Sequence, residues 1–362
     1  MKGGGQMQIG KISEPALKRS VLRPLWGDPA EVMYRSGADC AQILWQDGLL
    51  PVYSVVNEVP GFADDPGMLI VAAANNLAAG GAEPEGFLVS AMLPPEYEER
   101  QLKADMCRMK EMAQTCMAQE QENAGGEGSA EMQSSQPVSK QAAGIIGGHT
   151  QISSAVTRPL YSVTGIGSSS CAAERNHRRL QPGDVLVVTD AIALGGTAAI
   201  ARKKEAELQT HYPFQLIDRA KSFAKQMAVG ETARAITHFG AAAMHDLSQG
   251  GIFNALWEMA DQAGVGLEVD LKKIPVRQET IEICEYFDIN PYYLYSAGAL
   301  LVGTAHGEAL VSYLAAQGIS AAVIGRVTDG NDRVIRNGSE QRYLDRPKPD
   351  EWYRIEMETK GQ

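Results

Sequence analysis

Hydrophobic and polar positions follow each other along this chain in patterns that predict both strands and helices. Short apolar runs bounded by turn residues predict strands, and these runs cover 41–44, 52–56, 87–93, 143–146, 160–166, 184–189, 241–245, 299–305 and 321–327. Apolar residues at helical spacing predict helices, and these segments cover 11–25, 68–79, 96–120, 197–207, 252–263 and 308–317. Strands and helices mixed along both halves indicate an α/β or α+β fold in each half.

The predicted helix over 96–120 has a clear amphipathic pattern. Its apolar residues recur at intervals of four and three positions, which places them on one helical face, and they are Leu102, Met106, Met109, Ala113 and Cys116. A methionine-rich stripe of this kind can form a binding surface, but packing into the core is its more common role. We therefore expect this face to be buried.

Polar stretches divide the chain into two parts. Residues 122–140 are rich in Gly, Ser and Gln and nearly lack large apolar groups, so they predict a disordered surface loop. Residues 168–182 are polar and charged, which indicates a domain boundary. We therefore expect an N-terminal domain over 1–172, interrupted by the insertion at 122–140, and a C-terminal domain over 173–362.

Composition narrows the classes of function. The 362 residues suit two domains, and 33 Lys and Arg against 44 Asp and Glu give a net charge of −11, which argues against a nucleic-acid platform. Five dispersed cysteines without a C-x-x-C pair indicate a reducing compartment and no thiolate metal site. No signal-peptide pattern is visible, and polar residues interrupt the most apolar stretch, 67–93. We therefore expect a cytoplasmic protein without a membrane span.

Three glycine pairs lie where a predicted strand gives way to a turn or a helix, namely Gly147-Gly148, Gly195-Gly196 and Gly250-Gly251. Glycine lets backbone N–H groups approach an anion, and a helix start adds positive potential. Tight turns use glycine for packing as well, and none of the pairs belongs to a Walker or G-x-G-x-x-G motif. Both roles stay open for each pair.

Two histidines stand beside these pairs. His245-Asp246 precedes the third pair, where Asp246 either caps the next helix or contacts magnesium or phosphate. His149 follows the first pair, and it has no second His or Cys at metal-ligand spacing. A zinc site is therefore not expected there.

Seven segments, taken in order, resemble the AIR-synthase-related (PurM-like) superfamily, and most of all its HypE-like members. The segments cover 37–41, 67–84, 147–150, 183–188, 243–251, 289–291 with 296–298, and 324–327. This superfamily includes aminoimidazole ribonucleotide synthetase, selenophosphate synthetase, thiamine monophosphate kinase and HypE. Each segment is modest evidence alone, and the order of all seven carries the resemblance.

The resemblance implies a two-domain fold and an ATP-dependent activity. The fold would combine an N-terminal α/β domain, whose strands join those of a second copy in a dimeric β-barrel, with a C-terminal α+β domain. Such proteins bind ATP with magnesium between the domains and activate an oxygen atom by phosphorylation. The implied partners are a second copy, a small-molecule or carboxamide substrate and a maturation protein, with no nucleic acid and no membrane.

The resemblance also implies a set of site residues. Catalytic roles fall on Asp39, Asp246 and His245, and magnesium contacts fall on Asp39 and Asp246. The expected nucleotide contacts are Lys18, Asn57, Asn76, Gly147, Gly148, His149, Thr150, Arg158, Gly250 and Gly251.

Two departures from the family pattern change this picture. Asn57, Asn76 and Gln151 stand where related sites carry acids, so magnesium binding should be weakened. The sequence also lacks the terminal cysteine on which HypE performs its carbamoyl chemistry. Two hypotheses stay open, an ATP-dependent enzyme acting on another amide or carboxylate oxygen and a non-catalytic homodimer that binds a nucleotide or another anion. The family resemblance favours the first hypothesis. A protein that shares the fold but binds no ligand is a third possibility, which the persistence of the glycine pairs makes less attractive.

Overall fold

A computed structural model describes residues 41–42, 49–118, 144–170, 179–240 and 243–360 of the chain. Lys18 and Asp39, the predicted helix over 11–25, part of the first predicted strand and the predicted loop over 122–140 lie outside the described residues. Within them, the chain forms two β-sheets with helices packed against both.

The first sheet has five strands in the order β1-β2-β5-β3-β4, and only the β3–β4 pair is parallel. The strands are β1 Ala41–Gln42, β2 Leu49–Val56, β3 Glu83–Leu93, β4 Ile145–Ile152 and β5 Leu160–Ser170. The helices α1 Gly67–Ala79 and α2 Glu99–Ala118 belong to the same half of the chain. The strands form an open sheet and not a barrel within the described residues.

The two faces of this sheet differ in chemistry because side chains alternate along each strand. Val52, Phe87 and Val163 point towards the helices and are fully buried. Val55 and Leu88 lie on one transverse row of the opposite face, where they are 61% and 37% exposed. We call this second surface the open face.

The second sheet has seven strands in the order β12-β11-β8-β10-β6-β9-β7. They are β6 Val185–Thr189, β7 Ala243–Asp246, β8 Gly266–Asp270, β9 Leu300–Thr304, β10 Ala321–Thr328, β11 Arg333–Asn337 and β12 Glu340–Tyr343. The accompanying helices are α3 Leu194–Lys203, α4 Glu205–Leu208, α5 Phe214–Ser222, α6 Gly230–Phe239, α7 Gly251–Ala263, α8 Gln278–Tyr286, α9 Gly307–Ala315 and α10 Trp352–Lys360.

Side-chain hydrogen bonds and close packing join the two halves. The Asn75 side chain, 1% exposed, donates to the carbonyl of Met227 over 2.7 Å and accepts from the amide of Val229 over 3.0 Å. On another side, Gly61 approaches so closely that an added Cβ would lie 2.2 Å from the Cβ of Ala199. The halves therefore share a common core.

Most of the predicted elements are confirmed within the described residues. The stripe on α2 is core, with Met109 and Ala113 fully buried, and the predicted helix over 197–207 is divided into α3 and α4. Several elements of the second half, among them α5, α6 and α10, were not anticipated. None of the helices in the described part of the chain is long and apolar enough to cross a membrane.

One prediction about a turn is wrong. The segment from Gly147 to Thr150 is not a turn after a strand but lies inside β4, paired in parallel with β3. Gly148 has a φ of +153°, and an added Cβ would lie 1.9 Å from the carbonyl oxygen of Val89. Glycine is needed here because the two strand backbones approach each other closely.

Candidate functional site

A cavity of about 730 Å³ lies between the two halves of the chain. The first half contributes the loop that follows β2 and the segment that enters β5, and the second half contributes α3 and α10. The charged and aromatic residues that line it are Glu58, Phe62, Asp64, Arg158, Tyr161, Arg202, Lys203, Glu205, Lys221, Trp352 and Glu356. Its volume is within the range of small-molecule sites.

Most of the cations around this cavity already have partners. Arg202 lies 3.8 Å from Asp64 and over the ring of Phe62, and Lys221 lies 2.7 Å from Glu205. Lys203 lies over the ring of Trp352. The exposed Arg158, in contrast, makes no hydrogen bond or ion pair to any other described residue. Arg158 is therefore the cation best placed to receive an anionic ligand.

Helix α2 supports the wall of the cavity from behind. The Asp105 carboxylate accepts hydrogen bonds from the hydroxyls of Tyr97, over 2.5 Å, and Tyr161, over 2.6 Å. Burial and the Asp105 carboxylate together raise the pKa of Tyr161 well above its usual value, so its hydroxyl remains a donor. One turn along, Arg108 forms two hydrogen bonds with Asp65, over 3.0 and 3.1 Å.

The structure does not bring the predicted nucleotide contacts of the first half into one compact cluster. Asn57 lines the cavity, whereas the side-chain amide of Asn76 donates to the hydroxyl of buried Ser54 on the helix-facing side of the sheet, over 2.9 Å. His149 is paired with Ser90 on the open face. Two strands separate β2 from β4, so their backbones lie about 14 Å apart.

These residues fit a magnesium ion poorly by themselves. Among the residues that the structure describes, no group of three or more His, Cys, Asp or Glu side chains is arranged to hold a metal ion. Asn57 and Asn76 offer amide oxygens in place of carboxylates, and magnesium usually takes one or two carboxylates together with substrate phosphates. Of the two expected magnesium contacts, Asp39 lies outside the described residues.

His245 and Asp246, at the end of β7, are both buried, at 3% and 2% exposure. The Nδ1 atom of His245 lies 2.8 Å from the carbonyl oxygen of Asp246, and its Nε2 atom lies 3.3 Å from a carboxylate oxygen of Glu258. Asp246 does not cap the next helix, because the N-cap of α7 is Gly250. Neither residue lines the 730 Å³ cavity.

The glycine turn at the start of α7 already holds an anionic group of the chain itself. The amide of Gly250 donates to Asp350 over 2.6 Å, and the other oxygen of Asp350 accepts from the amide of Trp352 over 2.9 Å. Burial raises the pKa of Asp350 to about 7 despite these donors. In this structure the Gly250 amide is thus not available to a phosphate, contrary to the expectation for this pair.

The remaining glycine pair serves packing. An added Cβ on Gly195 would lie 2.6 Å from the ring of Tyr295, and one on Gly196 would lie 2.4 Å from the side chain of Leu294. Sequence reasoning missed Asp350 and Trp352 altogether, because no motif or spacing marks them. The one available signal was an isolated acid directly before a helical pattern, which is common at helix starts.

Comparison with known proteins shows which proteins this chain is similar to. Residues 181–337 match the model of the AIR synthase related protein, C-terminal domain. The carbamoyl dehydratase HypE of Rhodobacter capsulatus is 27% identical over 285 residues, which cover 77% of this chain and 74% of that protein. A putative hydrogenase expression/formation protein of Methanocaldococcus jannaschii is 23% identical over 321 residues, covering 85% and 83%. The second half of the chain is thus similar to the AIR synthase related C-terminal domain, and the chain as a whole is similar to HypE proteins.

Solved structures of this superfamily share the fold. HypE in a HypE-HypF complex superposes with a TM-score of 0.66 at 19% identity, covering 91% of this chain and all of that one. HypE of E. coli gives 0.63 at 19% identity, covering 83% and 88%. AaThiL complexed with AMPPCP and TMP gives 0.63 at 16% identity, covering 94% and 99%. The superfamily fold predicted from the seven sequence segments is therefore confirmed, without evidence for the dimeric barrel.

Proposed function

We propose that this chain is a HypE-like, ATP-dependent enzyme that activates an amide or carboxylate oxygen by phosphorylation. The observation that carries the proposal is the 730 Å³ cavity between the halves, in which Arg158 faces α3 with its cations Arg202 and Lys203. Support comes from the superfamily, since one HypE structure with a TM-score of 0.57 is a complex with ATP and AaThiL is complexed with AMPPCP.

The chemistry of the cavity suits this reaction. In the proposed step the acceptor oxygen attacks the γ-phosphorus, the bond from that phosphorus to the bridging oxygen breaks, and ADP leaves. Arginine pairs with phosphate oxygens through two N–H groups, so Arg158 would hold the transferring group. Lys203, at the facing wall, would balance part of the remaining negative charge.

The acceptor is proposed to be a separate molecule and not a thiol of the cavity wall. Within the described residues, no cysteine lines the cavity. Burial raises the pKa of Cys116 to about 11 and that of Cys284 to about 12, so both remain protonated thiols at neutral pH. Cys107 is exposed on α2, away from the cavity lining.

Calorimetric titration with ATP, with and without magnesium, tests this proposal. We expect binding by the unaltered protein and a loss of about tenfold in affinity for Arg158→Ala, because a charge-assisted contact is removed. Arg100→Ala is the matched control, since the Arg100 side chain is 82% exposed and, among the described residues, pairs only with Glu98. Absence of ATP binding, or an equal loss in both variants, would contradict the assignment of the cavity.

A specific observation also supports the non-catalytic alternative. Asn57 and Asn76 replace the acids that the resemblance implies, and Asn76 is hydrogen-bonded to Ser54 as an amide. A nucleotide- or anion-binding homodimer with a degenerate magnesium site would have no need of those carboxylates. It would act as a maturation or regulatory partner, a role consistent with the HypE structure that was solved together with HypF.

The double variant Asn57→Asp with Asn76→Asp separates the two readings. If these positions border the metal site, restoring two carboxylates should raise the magnesium-dependent part of the nucleotide affinity. Asn331→Asp with Asn337→Asp, two exposed substitutions at and before β11, controls for the change of −2 in net charge. ATP turnover by the unaltered protein favours the enzyme, whereas turnover only in the double variant favours the degenerate partner.

A further inference from the structure

The first half of the chain lines the cavity with two segments, and one side chain of α2 is hydrogen-bonded to each of these segments. Asp105 is hydrogen-bonded to Tyr161, which lines the cavity three residues after Arg158. Arg108 is hydrogen-bonded to Asp65, which lies between two residues of the opposite wall, Asp64 and Pro66. Asp105 and Arg108 are three positions apart, so they point from the same side of the helix.

We infer that Asp105 and Arg108 are positioning residues that set the geometry of the ligand cavity. Neither lines the cavity: Asp105 acts through the lining residue Tyr161, and Arg108 acts through Asp65, whose neighbours Asp64 and Pro66 line it. Tyr161 is 6% exposed, and its hydroxyl is held by a carboxylate, so the segment from Arg158 to Tyr161 is anchored at one end. This anchor limits the positions that the guanidinium of Arg158, which has no partner among the described residues, can reach.

The Arg108–Asp65 contact anchors the other wall in the same way. Asp65 is 9% exposed, and its carbonyl accepts from the amide of Met68 in the first turn of α1. The neighbouring Asp64 pairs across the cavity with Arg202. Holding Asp65 in place therefore also positions Asp64, which forms the ion pair with Arg202 of the second half.

Both anchors come with matched controls inside the same network. Tyr97 donates to the same oxygen of Asp105 as Tyr161 does, but it does not line the cavity. Glu111 accepts from the same guanidinium as Asp65 does, but it is 64% exposed, and neither it nor its neighbours line the cavity. Tyr161→Phe is thus compared with Tyr97→Phe, and Asp65→Asn with Glu111→Gln.

Hydrogen–deuterium exchange of the ligand-free variants tests the positioning role. We expect Tyr161→Phe to accelerate exchange in 156–164 and Asp65→Asn to accelerate it in 57–66, while the two controls leave both segments unchanged. Equal effects of a variant and its control, or no effect of either cavity-side variant, would overturn the inference. This measurement needs no nucleotide, so it remains decisive if ATP does not bind.

Titration with ATP then links the anchors to the proposed function, on which this part of the inference rests. If the unaltered protein binds ATP, both cavity-side variants should lose about tenfold in affinity and the controls should lose none. Unchanged affinity in Tyr161→Phe would overturn the positioning role for this ligand. Failure of the unaltered protein to bind ATP would instead count against the proposed function, with the exchange data still deciding the role of α2.

Discussion

At the scale of single residues, Asp350 shows how a buried carboxylate can take the place expected for a ligand. It is 3% exposed and accepts hydrogen bonds from the backbone of Gly250, Trp352 and Tyr295. The donors favour the ionised form, but burial disfavours it more strongly, and Glu351 adds to this effect. The result is a pKa of about 7 in place of 3.8.

The raised pKa of Asp350 predicts a pH-dependent stability. The folded state keeps the proton on Asp350 up to about pH 7, whereas the unfolded state loses it near pH 4. The contribution of Asp350 to the free energy of unfolding is therefore complete below pH 4 and declines as the pH rises to about 7. The decline is at most about 4 kcal/mol. Urea unfolding at several pH values, with Asp350→Asn as a reference that cannot titrate, measures it. A difference between the two proteins that is constant from pH 4 to 8 would contradict this prediction.

At the scale of elements, periodicity predicted where strands and helices lie but not how the strands are paired. Apolar runs located β2, β3, β5 and β6 to within a few residues. A turn was predicted at Gly147-Gly148 because glycine is typical of turns. The pair lies inside β4 because β4 pairs in parallel with β3, and no local sequence pattern encodes that pairing. The same limit applies to Asp350, because two of its donors, Gly250 and Tyr295, are distant in sequence.

The two glycines of β4 predict responses of different size to the same substitution. An added Cβ would lie 1.9 Å from backbone at Gly148 but 3.3 Å from the movable side chain of Leu88 at Gly147. Gly148→Ala should therefore lower the free energy of unfolding by about 2–3 kcal/mol, whereas Gly147→Ala should change it little. Thermal or urea unfolding of the two variants checks this, and equal losses would show that the strand register is wrong.

At the scale of the whole molecule, the open face of the first sheet remains without a covering element in the described part of the chain. Val55 and Leu88 share this face with Leu160, which is 50% exposed. Monomeric proteins rarely expose contiguous apolar patches of large size. The superfamily resemblance implies that the open face of a second copy covers this surface. No pattern in the sequence itself predicts such a contact.

A charge placed on the open face tests the proposed homodimer. We expect the unaltered protein to have the mass of a dimer in light scattering and Leu88→Lys with Leu160→Lys to have that of a monomer, because two buried charges would oppose association. Phe214→Lys is the control, since Phe214 is 59% exposed on α5, away from this sheet. A monomeric unaltered protein, or a dimer that survives both charges, would contradict this interface.

The hydrogen bond between Asn76 and Ser54 also affects which substitutions position 76 can accept during evolution. A serine hydroxyl both donates and accepts, so it accepts from the present amide and can turn to donate to a carboxylate of nearly the same shape. Asparagine and aspartate codons differ by a single base. The acidic form of this position is therefore one point mutation away, with no need to repack the helix around it.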